Sequence, residues 1–152
     1  MRTHTAEVLA RESAALAVVT DRAGLVGWRR HVVDELMTPS SPYALAMRET
    51  YDVHARAGFL DQWRELIAET VGRLMRSHAA EGGRPASDQS PTADSDAQAT
   101  AVLILAALQG GSALSRLAQD PRPLDAALDL ALVPFAAAAG GDVPDEERSN
   151  GE

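Results

Sequence analysis

Apolar side chains recur every three or four positions along most of this chain, which is the spacing of one face of an α-helix. The pattern is clearest between Phe59 and Ala80, where the apolar stripe is continuous and charged residues cover the opposite side. The spacing predicts helices over residues 5–19, 23–37, 42–57, 59–80, 95–119 and from 124 onward. No segment gives a convincing strand pattern, so we expect an all-α bundle of about six helices.

Several residues indicate where these helices begin and end. Ser41 is a plausible N-cap, and Pro42 suits the first helical position because its missing N–H is not needed there. Gly58 suits the left-handed residue that ends a helix. Ser95 and Gln98 have the spacing of a capping box at the start of the fifth helix. "DPRP" separates the last two helices, and Pro134 should kink or end the sixth.

The chain length suggests one domain, which we place at residues 5–139. Residues 81–94 contain no large apolar side chain and are expected to form a mobile loop inside that domain. Residues 140–152 are acidic and are expected to be a disordered tail.

Composition narrows the class of protein further. Hydrophobic residues make up 45% and aromatic residues only 4%, which favours helices packed closely through alanine. The absence of cysteine excludes disulfides, thiolate nucleophiles and Cys-ligated zinc. A net charge of −8 argues against a stand-alone nucleic-acid binder. The apolar run at 101–108 is too short to span a bilayer and the N-terminus lacks an apolar signal core, so we expect a cytoplasmic protein that does not enter membranes.

The chain shows little catalytic chemistry. Ser112 lies in "GGSAL", which lacks the second glycine and the strand-to-helix setting of a nucleophile elbow. His31 and Glu35 are one helical turn apart, but no further metal ligand joins them at a useful spacing. The chain has no P-loop and no dinucleotide fingerprint. We expect no catalytic residue, metal or cofactor, and no enzymatic activity.

The last two predicted helices resemble a known family. The segment "ATAVLILAALQGGSALSRLAQDPRPLDAALDLAL", residues 99–132, resembles the end of the C-terminal domain of TetR (tetracycline-repressor) family transcriptional regulators. The resemblance rests on "ALQGG" at 107–111, on the Asp120-Pro121 turn with Leu124, and on the leucines that follow. Residues 59–83 are similar to the amphipathic helix that precedes the variable loop in that family. The "GCP" start of many relatives is not matched, because Ser40 and Ser41 stand in its place.

The resemblance covers roughly residues 5–139 and implies a TetR C-terminal-like bundle. The helix-turn-helix head that opens these regulators would need about 40–45 residues, and four precede the first predicted helix. We therefore expect a headless relative or the regulatory part of a longer regulator, with no direct DNA binding by this chain alone.

Two adjacent glycines interrupt the fifth helix, where each costs roughly 1 kcal/mol relative to alanine. The resemblance implies that the last two long helices form an intersubunit four-helix bundle, in which small residues allow a close crossing. Packing within the same chain and a kink beside a ligand are the alternatives. The expected interface residues of this homodimer are Gly110, Gly111, Leu114, Leu117, Leu128 and Leu132.

The remaining candidate site is a cluster of bulky residues from the second to fourth predicted helices. Met47, Tyr51 and His54 share one face of the third predicted helix, and Trp28 and Trp63 lie on neighbouring apolar faces. They are either plain core or the walls of a pocket for a small hydrophobic effector. We therefore expect an effector-binding and dimerisation module of a TetR-type regulator; the alternative is a headless helical interaction module that pairs with itself or a full-length relative without a ligand.

Overall fold

The computed structural model describes residues 3–49, 52–81 and 91–136. These residues form six α-helices and a short 3-10 helix, with no β-strand among them, so the all-α prediction is confirmed. The helices are α1 His4–Ala17, α2 Arg22–Met37, α3 Pro42–Glu49, α4 Val53–Glu81, α5 Pro91–Ala118 and α6 Arg122–Ala131, followed by the 3-10 helix Val133–Phe135. The predicted tail, 140–152, and most of the predicted loop, 81–94, lie outside the described residues.

Side-chain caps begin the first three helices. The Thr3 hydroxyl accepts a hydrogen bond from the backbone N–H of Ala6, and the Asp21 carboxylate accepts one from Gly24 at 2.8 Å. Ser41 caps α3 by accepting from Ala44 N–H at 3.1 Å, which confirms the predicted start of that helix.

The predicted third helix, 42–57, is wrong at its C-terminal end. Helix α3 ends at Glu49, and α4 begins at Val53 and continues through Gly58. Asp52 accounts for the new start, because its carboxylate accepts the His54 N–H at 2.9 Å and so satisfies a donor of the first turn of α4. Gly58 is therefore an interior residue of α4 and not a helix end.

The C-terminal helices also differ from the prediction. Helix α5 begins at Pro91, so Ser95 and Gln98 lie inside it and do not form a capping box at its start. Gln98 instead accepts a hydrogen bond from Arg64 of α4. Helix α6 is only 10 residues long, which is shorter than the long final helix that the resemblance implies. It ends before the 3-10 turn that contains Pro134, as predicted.

The core is organised around α4. Its buried face carries Trp63, Ile67 and Val71 and packs against α1 on one side and α5 on the other. Small residues meet where α4 and α5 cross, since a Cβ placed on Gly72 would lie 3.8 Å from the Cβ of Ala97. Helix α6 packs back along α5, and α3 packs on α1 and α2.

The turn between α5 and α6 is held by its own hydrogen bonds. Gln119 has a φ of 54°, the left-handed conformation common just after a helix. Ser115 joins the two helices: its carbonyl accepts from Asp120 N–H at 3.0 Å, and its buried hydroxyl accepts from Leu124 N–H at 2.9 Å. The hydroxyl thereby satisfies one of the free N–H groups in the first turn of α6.

Candidate functional site

A buried carboxylate lies at the centre of the N-terminal helices. Glu12 of α1 is on the face that also carries Val8 and Leu16, four residues to either side, and all three side chains are buried. That face packs into the space enclosed by α3 and α4. Burying a carboxylate is costly unless its oxygen atoms accept hydrogen bonds.

Three donors from three other helices satisfy this carboxylate. The indole N–H groups of Trp28 in α2 and Trp63 in α4 both donate to Glu12 Oε2, each at 2.9 Å. The hydroxyl of Tyr43 in α3 donates to Glu12 Oε1 at 2.7 Å. We call these four residues the Glu12 cluster. Because each comes from a different helix, the cluster joins α1, α2, α3 and α4 at one point.

Aromatic contacts surround the same carboxylate. The rings of Tyr43 and Trp63 pack edge to face with centroids 6.0 Å apart, and Phe59 packs on Trp63 at 5.5 Å. His31 also makes an edge contact with Tyr43, with ring centroids 5.9 Å apart. Burial raises the pKa of the Tyr43 hydroxyl, and the charge and hydrogen bond of Glu12 raise that pKa further. The hydroxyl is therefore held in its neutral, donating form.

The structure describes four of the five predicted effector-pocket residues, and these four do not form the expected group. Trp28, Met47 and Trp63 are buried in the core. His54 is exposed and lies in the first turn of α4, so it does not share a helix face with Met47, which is in α3. Tyr51 lies outside the described residues. The single predicted face is wrong because Asp52 starts a new helix between these positions.

Two surface grooves lie away from the Glu12 cluster. One, of about 440 Å³, separates α4 from the start of α5, and its walls include Glu69, Arg76 and Gln98. The other, of about 400 Å³, lies between α2 and the start of α6, with Arg29 and Asp125 among its residues. No residue of the Glu12 cluster lines either groove.

A second feature is an exposed apolar surface along α5. Its residues recur every three or four positions, lie within about one third of the helix circumference, and are exposed. They are Val102, Leu103, Ala106, Gly110, Leu114 and Leu117. We call this surface the α5 stripe. Leu114 is 60% exposed and Leu117 is 84% exposed, which is unusual for leucine.

The six predicted interface residues divide into two groups. Gly110, Leu114 and Leu117 are exposed on the α5 stripe and are available to a partner. Leu128 and Leu132 of the α6 region are buried inside the chain. Their side chains are therefore not available to a partner, and the prediction is wrong for these two residues. Gly111 is also an internal residue.

The two glycines have opposite surroundings because consecutive residues point about 100° apart around a helix. A Cβ on Gly111 would come 2.9 Å from the backbone Cα of Leu124, closer than packed atoms approach, so this glycine allows α6 to cross α5 within the chain. A Cβ on Gly110 would have no neighbour within 4 Å. Packing inside the subunit therefore explains Gly111 but gives no reason for Gly110.

Helix α5 is also the one helix among the described residues that is long and apolar enough to cross a membrane, judged by the length and composition of Asp94–Ala118. The apolar run at 101–108 is only a part of this segment. The core helix of a folded soluble protein passes the same test, and one face of α5 packs on α4 and α6. The absence of membrane association stays a prediction.

The candidate catalytic and metal-binding residues are not assembled into a site. Ser112 is buried and its hydroxyl donates to the Gln109 carbonyl of its own helix at 3.1 Å. Among residues 3–49, 52–81 and 91–136, no three His, Asp or Glu side chains are grouped so that they could hold a metal ion. His31 contacts Tyr43 through its ring.

Comparison with known proteins found no relative of this chain: no family model, curated protein or solved structure matches it.

Proposed function

We propose that this chain is a helical interaction module that forms a homodimer through the α5 stripe, as part of a TetR-type regulatory system. The observation that carries the proposal is Gly110, an exposed glycine in the middle of a helix and at the centre of an apolar surface. It costs about 1 kcal/mol of helix stability relative to alanine. A close approach by a second α5 offsets this cost, because backbone atoms can then make contact where no Cβ intervenes.

The size of the exposed surface is compatible with a stable dimer. Burying the exposed half or more of each large residue on the α5 stripe contributes about 1–2 kcal/mol. Four such residues per subunit, Val102, Leu103, Leu114 and Leu117, give roughly 8–16 kcal/mol for two copies. That gain is of the same order as the cost of association, about 4–15 kcal/mol. Leu130 of α6 and Val133 of the 3-10 helix are also exposed apolar residues.

A second copy suits this surface better than a charged partner does. The α5 stripe carries no charged side chain over about 22 Å of helix, the length from residue 102 to residue 117. A partner of matching chemistry is another apolar helix with its own small residue at the crossing. The same face of a second chain supplies both features, as in any two-fold symmetric interface.

The dimer is tested by its molecular mass at micromolar concentration, measured by light scattering during gel filtration. Leu117→Glu should produce a monomer that remains folded, because the Leu117 side chain is 84% exposed and makes few contacts with the core. Val18→Glu is the matched control, since Val18 is 76% exposed at the end of α1 and lies outside the α5 stripe. A monomeric unmodified chain, or binding of the unmodified chain to lipid vesicles that Leu117→Glu abolishes, would contradict the proposal.

Gly110→Ala gives an independent test, with Gly27→Ala as its control. Both glycines are exposed helix residues with open space where a Cβ would be. Both substitutions should stabilise their own helix by about 1 kcal/mol. Only Gly110→Ala should weaken the dimer, because only there does the added methyl group separate two backbones. Equal dimer dissociation constants for the two variants would show that Gly110 is not at a crossing.

The second candidate function is effector binding, which the resemblance implies. A ligand inside the Glu12 cluster has to displace at least one donor from Glu12, so it needs a hydrogen-bond donor of its own in addition to an apolar body. Such compounds should quench tryptophan fluorescence and raise the melting temperature. A broad compound screen without a thermal shift favours the interaction module. With a net charge of −8, the chain alone should show no sequence-specific shift of DNA mobility.

A further inference from the structure

We infer that the partner on the α5 stripe is a second α5 that runs antiparallel to the first, with the two-fold axis beside Gly110 and each Leu103 packed against the partner's Leu117. The inference rests on the dimer proposed above and adds the orientation and the register of the two helices. Three observations carry it: the order of large and small side chains along the α5 stripe, the residue at which the stripe begins, and the placement of charges on α5.

The α5 stripe is symmetric about Gly110. Leu103 lies seven residues before this glycine and Leu117 lies seven residues after it. Seven residues make nearly two full turns, so both leucines share the face of Gly110 and lie about 10 Å to either side of it. They are 57% and 84% exposed. When two copies cross at Gly110, where an added Cβ would have no neighbour within 4 Å, each end of the interface is closed by leucine side chains.

The next side chains along the stripe favour one direction of the partner. Ala106 lies four residues before Gly110 and Leu114 lies four residues after it, and both are exposed. In an antiparallel pair Ala106 is level with the partner's Leu114, so each level holds one small and one large side chain. In a parallel pair two alanines meet on one side of the crossing and two leucines on the other, although the backbones are equally far apart at both places. The alanine side then loses contacts and the leucine side is overpacked.

The start of the stripe agrees with the same arrangement. Helix α5 begins at Pro91, but the stripe begins eleven residues later, at Val102. Ala118, the last residue of α5, is eight residues past Gly110 and is therefore level with the partner's Val102 in an antiparallel pair. Before Val102 no partner α5 is present to cover apolar side chains, and the exposed residues 94–96 are Asp, Ser and Asp.

Charge also favours the antiparallel pair. Asp94 and Asp96 lie near the N-terminal end of α5, and its single basic residue, Arg116, lies in the last turn. A parallel pair places the acidic residues of both copies on the same side of the crossing, where like charges repel. The antiparallel pair moves Asp96 about 40 Å from its copy, and it also aligns the two helix dipoles favourably.

Cross-linking of single cysteines tests the register, because the unmodified chain contains no cysteine. Leu103→Cys and Leu117→Cys chains are mixed, allowed to exchange subunits, and treated with a bis-maleimide that spans about 10 Å, the separation of packed helices. The mixture should give a covalent dimer. Each variant alone should not, since its two thiols would lie about 20 Å apart. Val18→Cys mixed with Leu117→Cys is the control and should not cross-link, because Val18 is exposed outside the α5 stripe.

A distance measurement gives a second test that leaves the interface unchanged. Ser95 is exposed and lies outside the α5 stripe, so a spin label on Ser95→Cys touches neither the core nor the crossing. Pulsed electron spin resonance should report about 40–45 Å between the two labels of an antiparallel dimer. At the common crossing angles, a parallel dimer should give about half that distance or less.

The possible outcomes separate the register from the dimer itself. A dimer by light scattering whose Leu103→Cys chains cross-link to one another, or whose Ser95 labels are close, is parallel and would overturn this inference alone. A dimer that cross-links neither in the mixture nor in the single variants would overturn the register and leave the dimer standing. A monomeric unmodified chain would overturn both the inference and the proposed function.

Discussion

Replacing Tyr43 with phenylalanine removes one hydroxyl from the Glu12 cluster and leaves the rest of the ring in place. The lost hydrogen bond is 2.7 Å long and is donated to a buried carboxylate by a side chain that is 1% exposed. Hydrogen bonds to charged groups contribute about 1.5–3 kcal/mol. The ring contact with Trp63 does not involve the hydroxyl, so we expect the free energy of unfolding to fall by about 2–3 kcal/mol.

Urea unfolding followed by tryptophan fluorescence measures this loss directly, because the chain has two tryptophans and both donate to Glu12. With a denaturant slope of about 2 kcal/mol per molar urea, the midpoint should fall by about 1 M. The slope itself should not change. Since a dimer is more stable at higher concentration, all variants must be compared at one protomer concentration.

The decisive control is to measure the same Tyr43→Phe substitution again in a Glu12→Gln variant. The amide oxygen of the new side chain can still accept from both indoles, but the Tyr43 hydroxyl then meets a neutral group. Hydrogen bonds between neutral partners contribute about 0.5–1.5 kcal/mol, so Tyr43→Phe should cost about 1–2 kcal/mol less in this background than in the unmodified chain. An equal cost in both backgrounds, or a loss below about 0.5 kcal/mol in the unmodified chain, would refute the assigned hydrogen bond.

Three further predictions follow from the same structure. Because the folded state raises the pKa of Tyr43, the contribution of its neutral hydroxyl to the free energy of unfolding should be fully present below about pH 10 and should be lost at higher pH by about 1.4 kcal/mol per pH unit. The chain has no lysine or cysteine that would titrate in the same range, and Tyr43→Phe should remove this pH dependence in urea titrations. Gly111→Ala should lower the melting temperature through a loss of about 1–3 kcal/mol, whereas Gly27→Ala should raise it. Ser115→Ala should cost about 1–3 kcal/mol by leaving an N–H of α6 unpaired, and the equally buried Ser112→Ala, which affects only a bond within α5, should cost less in calorimetry.

The helical class was predictable because periodicity depends on local spacing alone, but the helix boundary near residue 50 was not. Aspartate and glycine are both common at helix ends, so the local sequence pattern does not decide whether the boundary lies at Asp52 or at Gly58. The structure shows that the carboxylate of Asp52 starts a helix and that Gly58 is tolerated within it. The misplaced boundary then put His54 on the wrong helix face, so an error of a few residues changed the predicted site.

The role of Glu12 was missed for a different reason. Its spacing from Val8 and Leu16 placed it on the buried face of α1, and that signal was present in the sequence. Its partners are 16, 31 and 51 residues away, however, and no local pattern links positions that far apart. The tryptophans that we interpreted as pocket walls are the donors that make the buried carboxylate possible.

The paired glycines show the same limit at a finer scale. Their cost to the helix was readable from sequence, but the surroundings of each glycine were not. Which contact compensates which glycine depends on the position of α6, whose Leu124 approaches Gly111 alone.

The Glu12 cluster also constrains how this core can change over evolutionary time. A core of hydrocarbon side chains accepts single replacements of similar volume, since each costs little and neighbours can adjust. Here the loss of Glu12 leaves three donors unpaired, whereas the loss of a donor weakens the support of the carboxylate. Homologous chains should therefore retain residues 12, 28, 43 and 63 as one set or exchange them together for apolar residues, with mixed combinations eliminated by selection.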